Sequence, residues 1–135
     1  MTETIRGDIH VVAPPAGQPG DPRLCVVLHV EGLAVTVALV HTAPEDACEL
    51  DAVIDPARSG TPYPLVVQTD LRAVVDRGQL RRRAGHLDVA VMTDIGALQP
   101  ADGIRFGFGL CGIIDRRWDV KADEGRALRT LQRPW

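Results

Sequence analysis

Over its first two thirds the chain spaces apolar residues as β-strands do. Residues 8–13 (DIHVVA) form a short β-rich run that stops at residues 14–22 (PPAGQPGDP), whose Pro and Gly content suits neither helix nor strand and predicts an extended loop. Residues 24–30 (LCVVLHV) and 33–40 (LAVTVALV) are nearly continuous apolar and β-branched runs joined by Glu31-Gly32. That pattern predicts a hairpin with a two-residue turn and two central strands. Residues 49–55 (ELDAVID) alternate acidic and apolar side chains like a half-buried strand, and residues 56–60 then turn the chain. Residues 65–69 and 71–75 resume the strand pattern. Residues 77–83 (RGQLRRR) read as a basic turn, and residues 88–98 (DVAVMTDIGAL) have helical length, with Asp88 as N-cap and Gln99-Pro100 as the stop.

The remainder reads differently. Ile104, Phe106, Phe108 and Leu110 share one parity with Gly107 and Gly109 opposite, which predicts a strand with one bare face. Residues 107–112 (GFGLCG) also spell the dinucleotide fingerprint, but the 23 residues after Gly112 leave no room for the βαβ unit that gives that motif meaning. A helix is predicted from residue 119 or 120 to 132, with Leu128 and Leu131 as its apolar contacts. Five or six short strands followed by a helix describe a small sheet or partly open barrel rather than alternating βα units.

A length of 135 residues with 45% hydrophobic and 24% charged content describes one domain, 1–135, large enough to bury a core without disulfides or metal. The net charge of −3 excludes a generally basic, nucleic-acid-coating protein, yet the charge is segregated. Residues 1–67 hold nine Asp/Glu against Arg6, Arg23 and Arg58, a balance of −6, and residues 68–135 hold nine acids against twelve bases, +3. The start of the chain lacks the basic and apolar regions of a signal peptide, and no apolar run nears the roughly 18 residues of a membrane span, so a cytoplasmic location without membrane contact is expected. Cys25, Cys48 and Cys111 fit neither a disulfide framework nor a zinc site and read as small apolar side chains. The four histidines are scattered singly, and no metal or cofactor is expected.

Several polar residues break into the β-rich runs: Arg23 at the start of one strand, Thr42 at the end of the next, and Gln68, Asp70 and Arg72 around another. If that last run is regular, alternation puts Gln68, Asp70 and Arg72 on one face, and it forbids His41 and Thr42 from sharing one. In this order the motifs resemble the MazF/PemK (Kid-like) toxins of bacterial type II toxin–antitoxin modules. Arg6-Gly7-Asp8-Ile9 is similar to the family's RGDI opening, and residues 23–28 (RLCVVL) to its RPxxVL strand. Residues 40–43 (VHTA) stand where it has a PxTS or ITA strand end. Residues 65–72 (LVVQTDLR) with Val75-Asp76 and Gln79-Leu80 resemble its VxxxQxRxxD…RL stretch, and residues 85–88 (GHLD) its GxLs before the helix.

The resemblance implies an SH3-like, CcdB–PemK-type partly open barrel, mainly β (α+β), of five to seven strands, with a core at 6–98 and a C-terminal strand and helix extension at 101–135 packed on or beside it. It also implies a toxin acting as a metal-independent endoribonuclease on single-stranded mRNA, working as a homodimer and neutralised by a cognate antitoxin. In that chemistry the RNA 2′-hydroxyl attacks the adjacent phosphate, leaving a 2′,3′-cyclic phosphate. Arg23 would then supply bidentate, charge-assisted donors to the pentacoordinate phosphorane, and Thr42 would position the reacting groups. Asp70 falls where the Kid-like branch has its base, and Gln68 where that branch has an Arg. Gln18 in the Pro-rich loop and Arg72, Arg77, Arg81 and Arg82 are the expected RNA contacts, residues 70–86 summing to +3.

Leu24 stands where the family has Pro, Ala43 where one branch has Ser, and His10 where an aromatic residue is common. The alternative reading is a non-nucleolytic protein on the same scaffold: a DNA gyrase inhibitor of CcdB type acting through its C-terminal helix end, or a catalytically weakened regulatory module. The ending Arg133-Pro134-Trp135 argues against the gyrase version, because Pro134 cannot continue a helix.

Overall fold

The computed structural model describes residues 3–47, 51–97 and 116–133. Six strands, β1 (Asp8–Val12), β2 (Arg23–Glu31), β3 (Ala34–His41), β4 (Asp51–Ile54), β5 (Leu65–Asp76) and β6 (Leu80–His86), form one antiparallel sheet in the order β4-β5-β3-β2-β1-β6. Among the described residues three α-helices accompany it: α1 (Pro56–Ser59), α2 (Val89–Ala97) and α3 (Arg116–Leu131). The predicted strand at 104–110 and the fingerprint at 107–112 lie outside the described residues, as do Cys48, Cys111 and the stop at Gln99-Pro100.

The two uninterrupted apolar strands sit inside the sheet because both of its faces are covered. Val26 and Leu28 of β2, with Ala38 and Val40 of β3, point to the face closed by Leu87, Val91, Met92 and Ile95 at and within α2. Cys25 and Val27, with Val35, Val37 and Leu39, point to the opposite face, closed by Leu128 and Leu131 of α3. Burial pushes the Cys25 thiol up to about 12, so it packs as the inert apolar side chain expected. Asp88 caps α2 through its Oδ1, 2.9 Å from the Val91 N–H.

Four local expectations are corrected. The hairpin turn is Gly32-Leu33, with Glu31 paired to Ala34, because Gly32 takes the positive φ of 61° that this tight turn needs. The 56–60 turn is a single helical turn, α1, ended by Gly60. The basic stretch is a 3-10 turn (Arg77–Gln79) running into edge strand β6, which pairs antiparallel with β1.

The fourth correction positions the site. Residues 65–69 and 71–75 are one strand with a bulge: Leu39 of β3 faces Gln68, but the preceding Ala38 faces Arg72, so three residues are passed over in one step. An odd insertion reverses which face each parity occupies. Leu65 and Val67 therefore lie in the α2-side core while Leu71, Ala73 and Val75 lie in the α3-side core. Gln68 faces α3, and Arg72, of the same parity, falls on the opposite face.

Candidate functional site

Register brings the site together along one row. Asp51 of β4 pairs with Gln68, Gln68 with Leu39, and Leu39 with Cys25, so these four side chains share the α3 face. Two residues along from Cys25 and Leu39, alternation puts Arg23 and His41 on that face as well. The ends of β2 and β3 thus deliver Arg23 and His41 beside the Gln68 and Asp51 that β5 and β4 supply.

The polar face is closed by α3. Both oxygens of Glu124 are held by Arg23, with Nη1 donating to Oε2 at 2.7 Å and Nη2 to Oε1 at 2.5 Å. Arg23 Nη2 also reaches the Val40 carbonyl at 3.2 Å. Gln68 Nε2 donates to Glu124 Oε1 at 2.8 Å. One turn earlier the Lys121 ammonium donates to Asp51 Oδ1 at 2.7 Å, Gln68 Oε1 at 3.1 Å and Asp70 Oδ1 at 3.2 Å. Gln68 is fully buried and Lys121 is 1% exposed. The Glu124 carboxylate raises the Arg23 pKa against the opposing effect of burial, so this guanidinium stays charged.

His41 is the residue the sequence reading passed over. Its Nδ1 accepts the Ala43 N–H at 3.1 Å, so the proton of the neutral ring sits on Nε2, which is buried without a hydrogen-bond partner. Desolvation lowers its pKa, outweighing the opposing pull of Glu124 and Asp51. The available signal was parity, since His41 continues the Val37-Leu39 row while Thr42 falls off it; Thr42 is exposed just past the end of β3. Because the native ring resists a proton that the unfolded chain accepts near pH 6.5, its contribution to stability is complete above that pH and declines below it. The urea midpoint is expected to fall between pH 7.5 and 5.5, and to fall less in His41→Asn; equal declines would remove His41 as the cause.

The other expected contacts take separate hydrogen-bond partners or stand at the surface. Arg72 is exposed and turns its Nε back to the Thr69 carbonyl at 2.7 Å, as the bulge dictates. Arg77 caps the Gly32 carbonyl at 3.1 Å, and Arg81 bonds the Gly78 carbonyl. Arg82 is exposed on edge strand β6. Gln18 lies in a groove between the Pro-rich loop and α3, with Pro15, Pro19, Arg126, Arg129 and Thr130. Among the described residues no three His, Cys, Asp or Glu side chains converge to hold a metal ion, and no helix is long and apolar enough to cross a membrane.

Residues 5–98 match the family model of the PemK-like, MazF-like toxins of type II toxin–antitoxin systems. The chain belongs to that family. No curated protein matches it. Among solved structures it is similar to the Mycobacterium tuberculosis toxin MazF-mt6, at 23% identity over 67% of this chain and 90% of that one, with a TM-score of 0.54. It is also similar to an endoribonuclease from a mycobacterial species, at 14% identity over 73% and 88% of the two chains, with a TM-score of 0.56. An endoribonuclease solved with its cognate antitoxin, again mycobacterial, gives 14% identity over 73% and 90%, with a TM-score of 0.55. These likenesses identify the fold as the toxin family's. Helix α3, which carries Lys121 and Glu124, lies beyond the matched residues 5–98.

Proposed function

We propose that this family member is a metal-independent endoribonuclease that cleaves single-stranded mRNA in the cytoplasm as the toxin of a toxin–antitoxin module. The observation that carries this reading is the Arg23 fork with Gln68 Nε2 beside it: three N–H donors already hold a two-oxygen anion in one place. A phosphate offers the same partners, and a fixed Arg fork stabilises the dianionic phosphorane without a metal's charge.

The 2′-oxygen loses its proton to the Asp70 carboxylate and bonds to phosphorus. The bond from phosphorus to the 5′-oxygen breaks, and that oxygen takes a proton from solvent water, while Asp70 gives its proton back to solvent. The products are a 2′,3′-cyclic phosphate and a 5′-hydroxyl, and the site is restored. Thr42, at the rim, positions the chain entering from the β3 end. Exposed Arg72, Arg77, Arg81 and Arg82 and the loop residue Gln18 meet neighbouring phosphates and bases. The core at 6–98 carries the site, and the residues from 101 onward extend it. Two such chains form a homodimer, and a cognate antitoxin of the kind seen with the mycobacterial endoribonuclease neutralises it.

A non-nucleolytic regulatory module is the second reading, favoured by one observation: Glu124 already neutralises Arg23. The gyrase-type version loses support because the end of α3 is tied down. Val74 N–H donates to the Gln132 side chain and the Arg133 N–H donates to the Val74 carbonyl.

The deciding experiment incubates a long mixed-sequence RNA in EDTA with the full-length wild type and with Glu124→Gln, and maps the product ends. Cleavage by either protein to cyclic-phosphate ends is expected. Intact RNA with both folded proteins would leave the regulatory reading standing.

A further inference from the structure

Resting on that reading of Arg23, Gln68 and Asp70, we propose that the first half of α3 is a plug built into the chain. Glu124 occupies the seat of the scissile phosphate, and RNA enters only when residues 119–124 lift away.

The occupant is specific. A carboxylate on an Arg fork makes the same paired, charge-assisted bonds that a phosphate makes, so Glu124 and a phosphate on Arg23 exclude each other. Lys121 extends the closure one turn further, binding the Asp70 oxygen that the proposed chemistry needs as a base and the Gln68 amide beside it. With Lys121 1% exposed and Glu124 9% exposed, the inner donors are covered while the helix is in place, and the quarter-exposed Arg23 side chain has both ends of its fork taken by Glu124.

The helix divides into a polar plug and an apolar anchor. Its last turns are held by Leu128 and Leu131 in the sheet's core, by Gln79 Nε2 on the Leu131 carbonyl at 2.7 Å, and by the Arg133 to Val74 backbone bond at 2.9 Å. The plug is held through Lys121 and Glu124, groups that water can solvate once freed, with RNA phosphates an added partner for Lys121. Between the two halves stands Gly125, the weakest helix former in α3. Unwinding at Gly125 uncovers Arg23, Gln68 and Asp70 while the apolar anchor stays seated. Helix α3 lies beyond the family match, so this is a device of the chain's extension, and RNA binding has to compete with it.

The test has two arms on the full-length protein. In the first, amide exchange of the wild type is followed with and without a mixed-sequence RNA carrying 2′-O-methyl groups, which bars attack by the 2′-oxygen. RNA is expected to raise exchange at residues 119–124 and leave 128–131 protected. Bound RNA with unchanged protection at 119–124 overturns the plug. In the second arm, Glu124→Arg, which sets two cations against each other, and Lys121→Met are compared with wild type on cleavable RNA. Initial rates about tenfold higher or more are expected, as for a closed state losing a paired contact. Rates equal to wild type overturn the plug and leave the nuclease reading intact; lower rates overturn it by making α3 a working part of the site. Absence of cleavage by all three proteins, with 119–124 exchanging freely in the variants, sinks the nuclease reading and the plug together. The first arm needs no variant, so it decides the matter if either substitution fails to fold.

Discussion

Replacing Arg23 with alanine is expected to separate stability from catalysis when it is read against Glu124→Gln. Alone, Arg23→Ala leaves the buried Glu124 carboxylate with the Gln68 amide as its remaining partner in the site. Breaking one side of a buried pair costs about 3–5 kcal/mol, and the quarter exposure of the Arg23 side chain puts this pair at the lower end. In Arg23→Ala/Glu124→Gln the stranded charge is gone, so the denaturation midpoint returns most of the way to that of Glu124→Gln. Cleavage does not return with it. Removing a fixed donor from a developing oxyanion costs roughly 10²–10³ in rate, and the double variant is expected to be that much slower than Glu124→Gln. If it cleaves as fast, Arg23 holds the helix and does nothing for the phosphate.

Lys121→Met carries the second large effect. Methionine keeps most of the lysine stem's volume but removes the cation that Asp51 and Asp70 share. Two carboxylates then face one another out of water, a loss on the order of 3–5 kcal/mol if the helix stays in place. It does not have to stay. Residues 119–124 can unwind from Gly125 and let both carboxylates hydrate, so the loss is capped at the free energy of releasing that segment. The expected signature is a melting point lower by roughly 10 °C, with exchange protection lost at 119–124 and kept at 128–131. Adding Asp51→Asn and Asp70→Asn should recover much of it. A loss of under about 0.5 kcal/mol, the scale of an ordinary surface substitution, would show that the ammonium contributes little to holding α3.

Much of the fold was legible because burial on two faces leaves a plain mark on sequence. The runs through Leu24–Val30 and Leu33–Val40 had to be interior strands, Asp88 had to cap a helix, and Leu128 and Leu131 announced the buried side of the last one. The bulge at 69–71 was not legible. No turn residue marks it, and its only trace is that Leu65 and Val67 pack on one face while Leu71, Ala73 and Val75 pack on the other. Strict alternation therefore grouped Gln68 with Arg72, which the structure separates. The same rule, applied along Val37, Leu39 and His41, would have picked His41 over Thr42 for the site face. The basic stretch 77–83 was misread as a turn because an edge strand needs apolar residues on one side only, and charged edges are common where pairing with other sheets is avoided.

By itself the sequence determined a mainly β fold with two buried central strands and the family, and it offered Arg23 as the candidate for holding an anion. Those follow from periodicity, turn residues and local motifs, all of which act over a few neighbouring positions. Tertiary structure alone decided what holds that Arg. Arg23, Gln68, Lys121 and Glu124 span 101 residues of chain, and nothing local links Lys121-Ala122-Asp123-Glu124 to β2 or β5. The seating of α3 depends on its Leu128 and Leu131 finding the one sheet face left uncovered by α2. Once that apolar face is satisfied, helical periodicity carries Glu124 and Lys121 onto the polar row beyond it.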